Sequence, residues 1–277
     1  MNCLSLVSGA TRAPGKPLVV SIVGGGGKTS LLFALADDAS AGGRSVLVTT
    51  TTRIFDPRDE GRRFDELLLE PGWGVGAPRP PAPPNGEAWR RNGRAGSRAA
   101  GPVIVAAAGV DGGRLLSVDP ARVDEALGWD LVAVEADGAR RLPLKAPAVH
   151  EPVVPGSSGA VIAVIGLDCL GRRLDDTIAF RPELVAAAAG MAEGEAIRPR
   201  HLAALAASPS GCFKSSPPGA LRVVVLNKLD LVDGRAAAEA SEAVIASGAA
   251  DIVALARLAD PDPSRRVVSS VGAERIS

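Results

Sequence analysis

Apolar residues fall in short runs set between glycine- and proline-rich breaks, and the runs alternate in type along the chain. Residues 18–23, Leu-Val-Val-Ser-Ile-Val, form a β-branched run that stops in Gly24-Gly25-Gly26-Gly27. A run this short and this continuously apolar predicts a strand buried on both faces. Residues 29–36 follow as an apolar helix, which Gly42-Gly43 ends, since glycine readily takes the left-handed conformation just past a helix C-terminus. A second buried strand is predicted at 45–49, giving a strand–loop–helix–strand unit with parallel strands and a right-handed crossover. Further core strands are predicted at 103–107, 131–135, 160–165, 221–226 and 252–255, the last of the chain. Helices are predicted at 120–127, 182–189, 199–206 and 236–246, the first three opened by proline, whose fixed φ suits a first helical turn. Asp111-Gly112-Gly113-Arg114 predicts a hairpin turn into 115–118. Strands and helices alternate from end to end, which predicts one three-layer α/β domain over 1–277 with a mostly parallel sheet.

Residues 71–102 break this pattern. They are rich in Pro, Gly and Arg, carry Pro78-Arg79-Pro80-Pro81-Ala82-Pro83-Pro84 and have no apolar period, which predicts a mobile surface insertion. Composition then narrows the picture. With 46% hydrophobic residues but 3% aromatic ones and no tyrosine, the core must be built from Ala, Val and Leu. Lys plus Arg and Asp plus Glu each number 31, and this balance argues against a general nucleic-acid binder. No apolar run approaches the roughly 20 residues that span a bilayer, and residues 1–17 lack the basic-then-apolar order of a signal peptide, so a cytoplasmic protein without membrane attachment is expected. Cys3, Cys169 and Cys212 are scattered, and His150 and His201 are the two histidines, too few for a Cys/His metal site.

The glycine run carries the first chemistry. A strand that ends in glycines and restarts as a helix turns backbone N–H groups toward one point, with the positive end of the helix behind them, and that geometry binds phosphate. Gly24, Gly25, Gly26, Gly27, Lys28, Thr29 and Ser30 are the candidate residues, with the Lys28 ammonium on the terminal phosphates and the Thr29 hydroxyl on Mg²⁺. The full G-x-x-x-x-G-K-[ST] pattern fails at its first position, where Ile22 stands. Taken together, these residues predict a P-loop NTPase-like fold.

Strand 131–135 ends on Glu135 and continues as Ala136-Asp137-Gly138. Metal-bound nucleotides need an acid at the carboxyl end of a neighbouring strand, so Glu135 is the candidate, Asp137 its close competitor, and Gly138 a backbone N–H donor to a γ-phosphate. Asn227-Lys228-Leu229-Asp230 follows a later strand in the order N-K-x-D, in which an aspartate accepts from guanine N1–H and the exocyclic amine while the lysine stem lies along the base. That order points to GTP rather than ATP. Thr49-Thr50-Thr51-Thr52-Arg53 closes the second strand; any of its hydroxyls, Thr52 among them as a metal ligand, fits a phosphate-sensing switch as well as it fits a strand end. Arg140, Arg141 and Lys145 follow the acidic strand and can receive an anionic second substrate or stabilise a transferring phosphate.

The strings Val23–Thr29, Val48–Thr52, Val134-Glu135-Ala136-Asp137-Gly138-Ala139-Arg140-Arg141-Leu142-Pro143-Leu144-Lys145-Ala146-Pro147, His150-Glu151-Pro152, Gly166-Leu167-Asp168, Arg181-Pro182-Glu183-Leu184 and Leu226-Asn227-Lys228 resemble the YqeC family of selenium-dependent hydroxylase accessory, or selenium cofactor biosynthesis, proteins. The resemblance runs from about residue 18 to residue 230, and the segment 134–147 is its most specific part. It implies a Mg²⁺-dependent nucleotide-binding accessory protein for selenium-dependent molybdenum hydroxylases, with a hydroxylase or another maturation protein as partner. The same residues also fit a nucleotide-switched scaffold without turnover, or a small-molecule kinase. The chain departs from the family pattern at 71–98 and at Arg53 and Phe180, where histidines are expected.

Overall fold

A computed structural model of the chain describes residues 1–69 and 100–272. The insertion expected at 71–102 lies outside the described residues except for its last three, where the Gly101 N–H donates to the Ser40 carbonyl at 2.9 Å.

Strand β1 (Leu18–Gly24) leads through the glycine run into α1 (Lys28–Ala41), which returns to β2 (Val46–Thr50). Two short strands, β3 (Ile54–Phe55) and β4 (Glu66–Leu69), come before β5 (Val103–Ala107), and β6 (Val110–Asp111) and β7 (Arg114–Leu115) make the hairpin expected at Asp111–Arg114. The short α2 (Pro120–Asp124) is followed by β8 (Leu131–Glu135), β9 (Leu144–Lys145), β10 (Ser158–Gly166) and β11 (Ala179–Phe180). Helices α3 (Pro182–Ala189) and α4 (Pro199–Ala207) lead to β12 (Leu221–Asn227), α5 (Gly234–Ala246), β13 (Ile252–Ala256) and β14 (Val267–Gly272).

Among the described residues nine strands form one sheet in the order β14–β13–β12–β10–β1–β8–β2–β5–β4, parallel throughout except for the β13–β14 pair. Alternation of side chains divides the core between the two faces. Along β10, Ala160, Ile162 and Val164 pack toward the α1 face, while Val161, Ala163 and Ile165 pack toward the face covered by α3, α4 and α5. The chain is therefore an α/β fold of three layers. Helix α1 is apolar nearly all round, with Leu31 to Ala36 buried, because the 3-10 turn Cys3–Val7 covers the side turned from the sheet. Its end matches expectation, since Gly43 lies in the left-handed region at φ 79.

The pattern of apolar runs missed strands at the margins. The strand at 252–255 is not the last: β14 pairs beyond it, and its Val268 and Val271 are exposed, so no buried face marks it in the sequence. β4 is also an edge strand with half-exposed side chains, and β3, β9 and β11 span two residues each, too few to show a period. Among the described residues no helix is long and apolar enough to cross a membrane.

Ile162 is wholly buried on the strand next to β1 and contributes to the α1-facing core. Ile162→Ala is expected to lower stability by about 2–5 kcal/mol, read as a reduced midpoint in urea unfolding; an unchanged midpoint would contradict this packing.

Candidate functional site

The order in which strands are added to the sheet reverses beside β1. The early part of the chain builds β2, β5 and β4 on one side of it, and the later part builds β10, β12 and β13 on the other. Ligands of open parallel sheets bind at the carboxyl ends of strands at such a reversal. The register brings the candidate residues to that edge: Ile22 pairs with Glu135, Glu135 with Thr50, Gly24 with Val164, and Gly166 with Asn227. A cavity of about 620 Å³ opens there, with Gly26 to Ser30, Thr52, Glu135 and Gly138 in its wall.

The glycine run serves packing as much as binding. The Gly25 N–H donates to Val164 O at 2.9 Å and the Gly26 N–H to Leu142 O at 2.8 Å, so neither amide is directed at a ligand. Gly26 and Gly27 adopt φ of 69 and 128, and a Cβ on either would collide with Gly166 or with the Asn227 amide. The run is therefore a tight turn wedged between β10, the 142–143 loop and β12. Donors for an anion come one step later, from the first turn of α1, whose amides have no intrahelical acceptor and which reaches the cavity through Lys28, Thr29 and Ser30.

Lys28 is buried, and its Nζ donates to Gly24 O at 2.7 Å, with Asp137 Oδ1 at 3.3 Å and Glu135 Oε1 at 3.7 Å. The Thr29 hydroxyl donates to Glu135 Oε2 at 2.8 Å. Burial raises the Glu135 pKa; the Lys28 ammonium and the Thr29 hydroxyl oppose that rise without cancelling it, and Asp137 adds to it. The two competing acids have separate places. Glu135 faces the cavity, while Asp137 lies behind it, its Oδ2 accepting from the Gly24 N–H at 3.1 Å and meeting Lys145 Nζ at 3.2 Å. Asp137 thus braces the turn.

The threonine run divides in the same way. Thr49 Oγ1 donates to Ala106 O, Thr50 Oγ1 to Glu135 O and Thr51 Oγ1 to Val153 O, all within 2.9 Å, so these hydroxyls hold strands and loops together. Thr52 lines the cavity close to Gly138. Asn227 is buried; its Nδ2 donates to Gly26 O at 2.7 Å and its Oδ1 accepts from the Leu258 N–H at 2.9 Å, so it fastens the glycine run to the segment after β13. Lys228 lies at φ 65 with its Nζ 2.7 Å from Asp168 Oδ2 and reaches the cavity wall. Asp230 is exposed on the 3-10 turn Leu229–Leu231, outside that wall.

Of the expected second-substrate residues, Arg140 and Arg141 line the cavity. Lys145 does not: its ammonium is enclosed by Gly138 O at 2.6 Å, Glu151 Oε2 at 2.9 Å and Asp137. Glu151 also pairs with Arg181, and although burial works against its charge, these two cations hold its pKa below the ordinary value. Sequence reasoning missed Glu60, Arg62, Arg114 and Phe55, which also line the cavity, and reached Phe180 and Arg181 only through the family pattern. Isolated charges and aromatics in short strands and loops carry no local signal, and only the fold gathers them. Cys169 and Cys212 are buried in the α3–α5 core, and burial pushes the Cys212 thiol up to about 12, which suits packing rather than chemistry.

The family model described as YqeC protein matches residues 20–183. The chain belongs to the YqeC family. It is similar to the YqeC protein of Escherichia coli (strain K12), at 33% identity over 230 residues covering 78% of each chain. No solved structure matches it. The span matched by the YqeC family model holds the glycine run, Thr52, Glu135, Asp137 and the loop to Glu151 and Arg181, and it ends before Asn227.

A carboxyl group whose pKa is raised by folding keeps its proton in the native state after the unfolded chain has lost it. Stability then falls as pH rises from the ordinary value of 4.5 through the raised one. Glu135→Gln removes this loss and leaves Asp137 to balance Lys28. The variant is expected to gain stability relative to the parent as pH rises above 4.5 and to keep the gain at neutral pH. Urea unfolding from pH 4 to pH 8 measures it, and two parallel stability curves would contradict the electrostatic picture.

Proposed function

We propose that this YqeC-family protein binds a nucleoside triphosphate with Mg²⁺, prefers GTP to ATP, hydrolyses it, and serves the maturation of a selenium-dependent molybdenum hydroxylase. The observation that carries the reading is the Thr29–Glu135 contact of 2.8 Å at the mouth of the α1 first turn, with Lys28 beside it. A hydroxyl and a carboxylate, with the Thr52 hydroxyl nearby, make an all-oxygen donor set that suits a hard cation such as Mg²⁺. When bound, that cation neutralises charge developing on the terminal phosphates.

The chain's own residues do the rest. The α1 amides donate to the phosphate oxygens, and Lys28, set between two carboxylates, has its ammonium beside them. Glu135 accepts from the Thr29 hydroxyl and orients it, and its place on the cavity wall suits it to take a proton from an attacking water. Lys228 and Asp230 lie at the end of β12 and supply a stem and a carboxylate for guanine. The Asn227 link from Gly26 to Leu258 ties that end of the site to the phosphate end. The selenium and hydroxylase assignment rests on the family resemblance of segment 134–147.

Calorimetry with GTP and ATP in the presence of Mg²⁺, paired with phosphate-release assays, tests the core of the reading; failure of both nucleotides to bind at millimolar concentration would end it. Binding without release would leave a nucleotide-switched scaffold in its place. Lys28→Ala and Thr29→Ala are each expected to lower phosphate release by about 10²-fold or more, and the Thr29→Ala protein to need more Mg²⁺.

The base is tested separately. An amide at position 230 offers one donor and one acceptor, the complement of xanthine rather than guanine. Asp230→Asn is expected to weaken GTP by about 10²-fold or more and to favour xanthosine triphosphate. An unchanged GTP preference would remove the guanine assignment.

A further inference from the structure

Eight cationic and three anionic side chains line the cavity. Six of the cations face a carboxylate of the protein. Lys28 has Glu135 and Asp137, Arg62 and Arg141 share Glu60, and Arg181 has Glu151. Arg53 and Lys228 pair with Asp111 and Asp168. Two remain. Among the described residues, Arg114 and Arg140 have neither an ion pair nor a hydrogen bond from the side chain, and each lies instead over an aromatic ring. The Arg114 guanidinium is 4.5 Å from the Phe55 ring centre, and that of Arg140 is 4.9 Å from Phe180.

Stacking occupies the face of a guanidinium and leaves its edge, which carries the N–H donors, available. A ring beneath each arginine also limits its rotamers, so little freedom is lost when an anion binds. Arg140 is held further by its backbone, at φ 49 in the left-handed region that non-glycine residues rarely adopt. Two uncompensated positive charges lining one cavity match a phosphate monoester, which carries about −1.5 to −2 near neutral pH.

We propose that Arg114 and Arg140, each laid on a phenylalanine ring, form a second anion subsite in the nucleotide cavity, which takes the doubly charged oxyanion group of a phosphate-bearing second substrate. The inference deepens the nucleotide reading, since the subsite shares a cavity with the first turn of α1. Arg181, stacked 4.4 Å over the same Phe180 ring and tied to Glu151, frames it. The other use for such arginines is to balance the nucleotide's own phosphates, and the two uses give different results.

Full-length protein is saturated with Mg²⁺ and the non-hydrolysable imido analogue of GTP, then titrated with inorganic phosphate in a calorimeter. One further phosphate is expected to bind, and Arg114→Ala/Arg140→Ala to weaken it at least tenfold. Neither substitution breaks an ion pair, so the fold is expected to stand, and a thermal melt checks it. If the loaded protein takes up no phosphate, or the double variant binds it as tightly as the parent, the proposal is overturned. It is overturned equally if the double variant weakens analogue and phosphate in the same proportion. Should the analogue itself fail to bind, the nucleotide reading falls, and phosphate is titrated into the free protein. Binding lost in the double variant but kept in Lys28→Ala then supports the subsite, and the reverse overturns it.

Discussion

A buried ammonium, that of Lys28, sits between two carboxylates and a carbonyl at the foot of α1, and the site is arranged around that charge. Removing an ion from water is costly, and the cost is met only if its partners are fixed close by. Glu135 comes from β8, Gly24 from β1, and Asp137 from the segment after β8, so the balance of one charge aligns two strand ends. The alternation continues outward through Lys145, Glu151 and Arg181, each facing an opposite charge. This chain of ion pairs fixes the loop between β8 and β10 by charge, beside the packing of Leu144 and Ala146 into the core. Breaking an inner link would leave a buried charge short of a partner, since Asp137 and Lys145 are both buried within the segment 137–151.

The turn itself is fixed by closeness. Four successive glycines let β1 pass against β10, the 142–143 loop and Asn227 without a Cβ in the way. Asn227 then uses both ends of its amide to join Gly26 to Leu258. Residues from β1, β8, β10 and β12 are thereby held in one frame, and the amides of the α1 first turn are left facing the cavity. A rigid frame with free donors and a preplaced cation is what phosphate recognition requires, because little reorganisation remains to be done on binding.

Much of this was legible in the sequence where a residue's role follows from its neighbours along the chain. The buried strands β1, β2, β5, β8, β10, β12 and β13 and the helices each carry a run long enough to show its period, and the YqeC resemblance of segment 134–147 is borne out by the family match. The glycine run with Lys28-Thr29, and the acid closing β8, were legible because strand, turn and helix succeed one another locally. The edge strands β4 and β14 were not, since an exposed strand has no buried face to mark it. The sequence put Glu135 only narrowly ahead of Asp137 and did not rank one threonine against the next, because neighbouring polar residues differ only in which way the chain turns them.

The sequence by itself therefore determined the order of elements, the turn that needs glycine, and the presence of a lysine, a hydroxyl and acids at strand ends. Tertiary structure alone decided their division of labour. Thr49, Thr50 and Thr51 tie carbonyls while Thr52 reaches the cavity, Asp137 and Lys145 brace while Glu135 faces the opening, and Arg114 joins Arg140 in lining the cavity from a separate part of the chain. The reason is physical. Local pattern encodes which face of an element is buried, whereas burial of a charge, and the partner that makes it tolerable, depends on segments that only the folded sheet brings together.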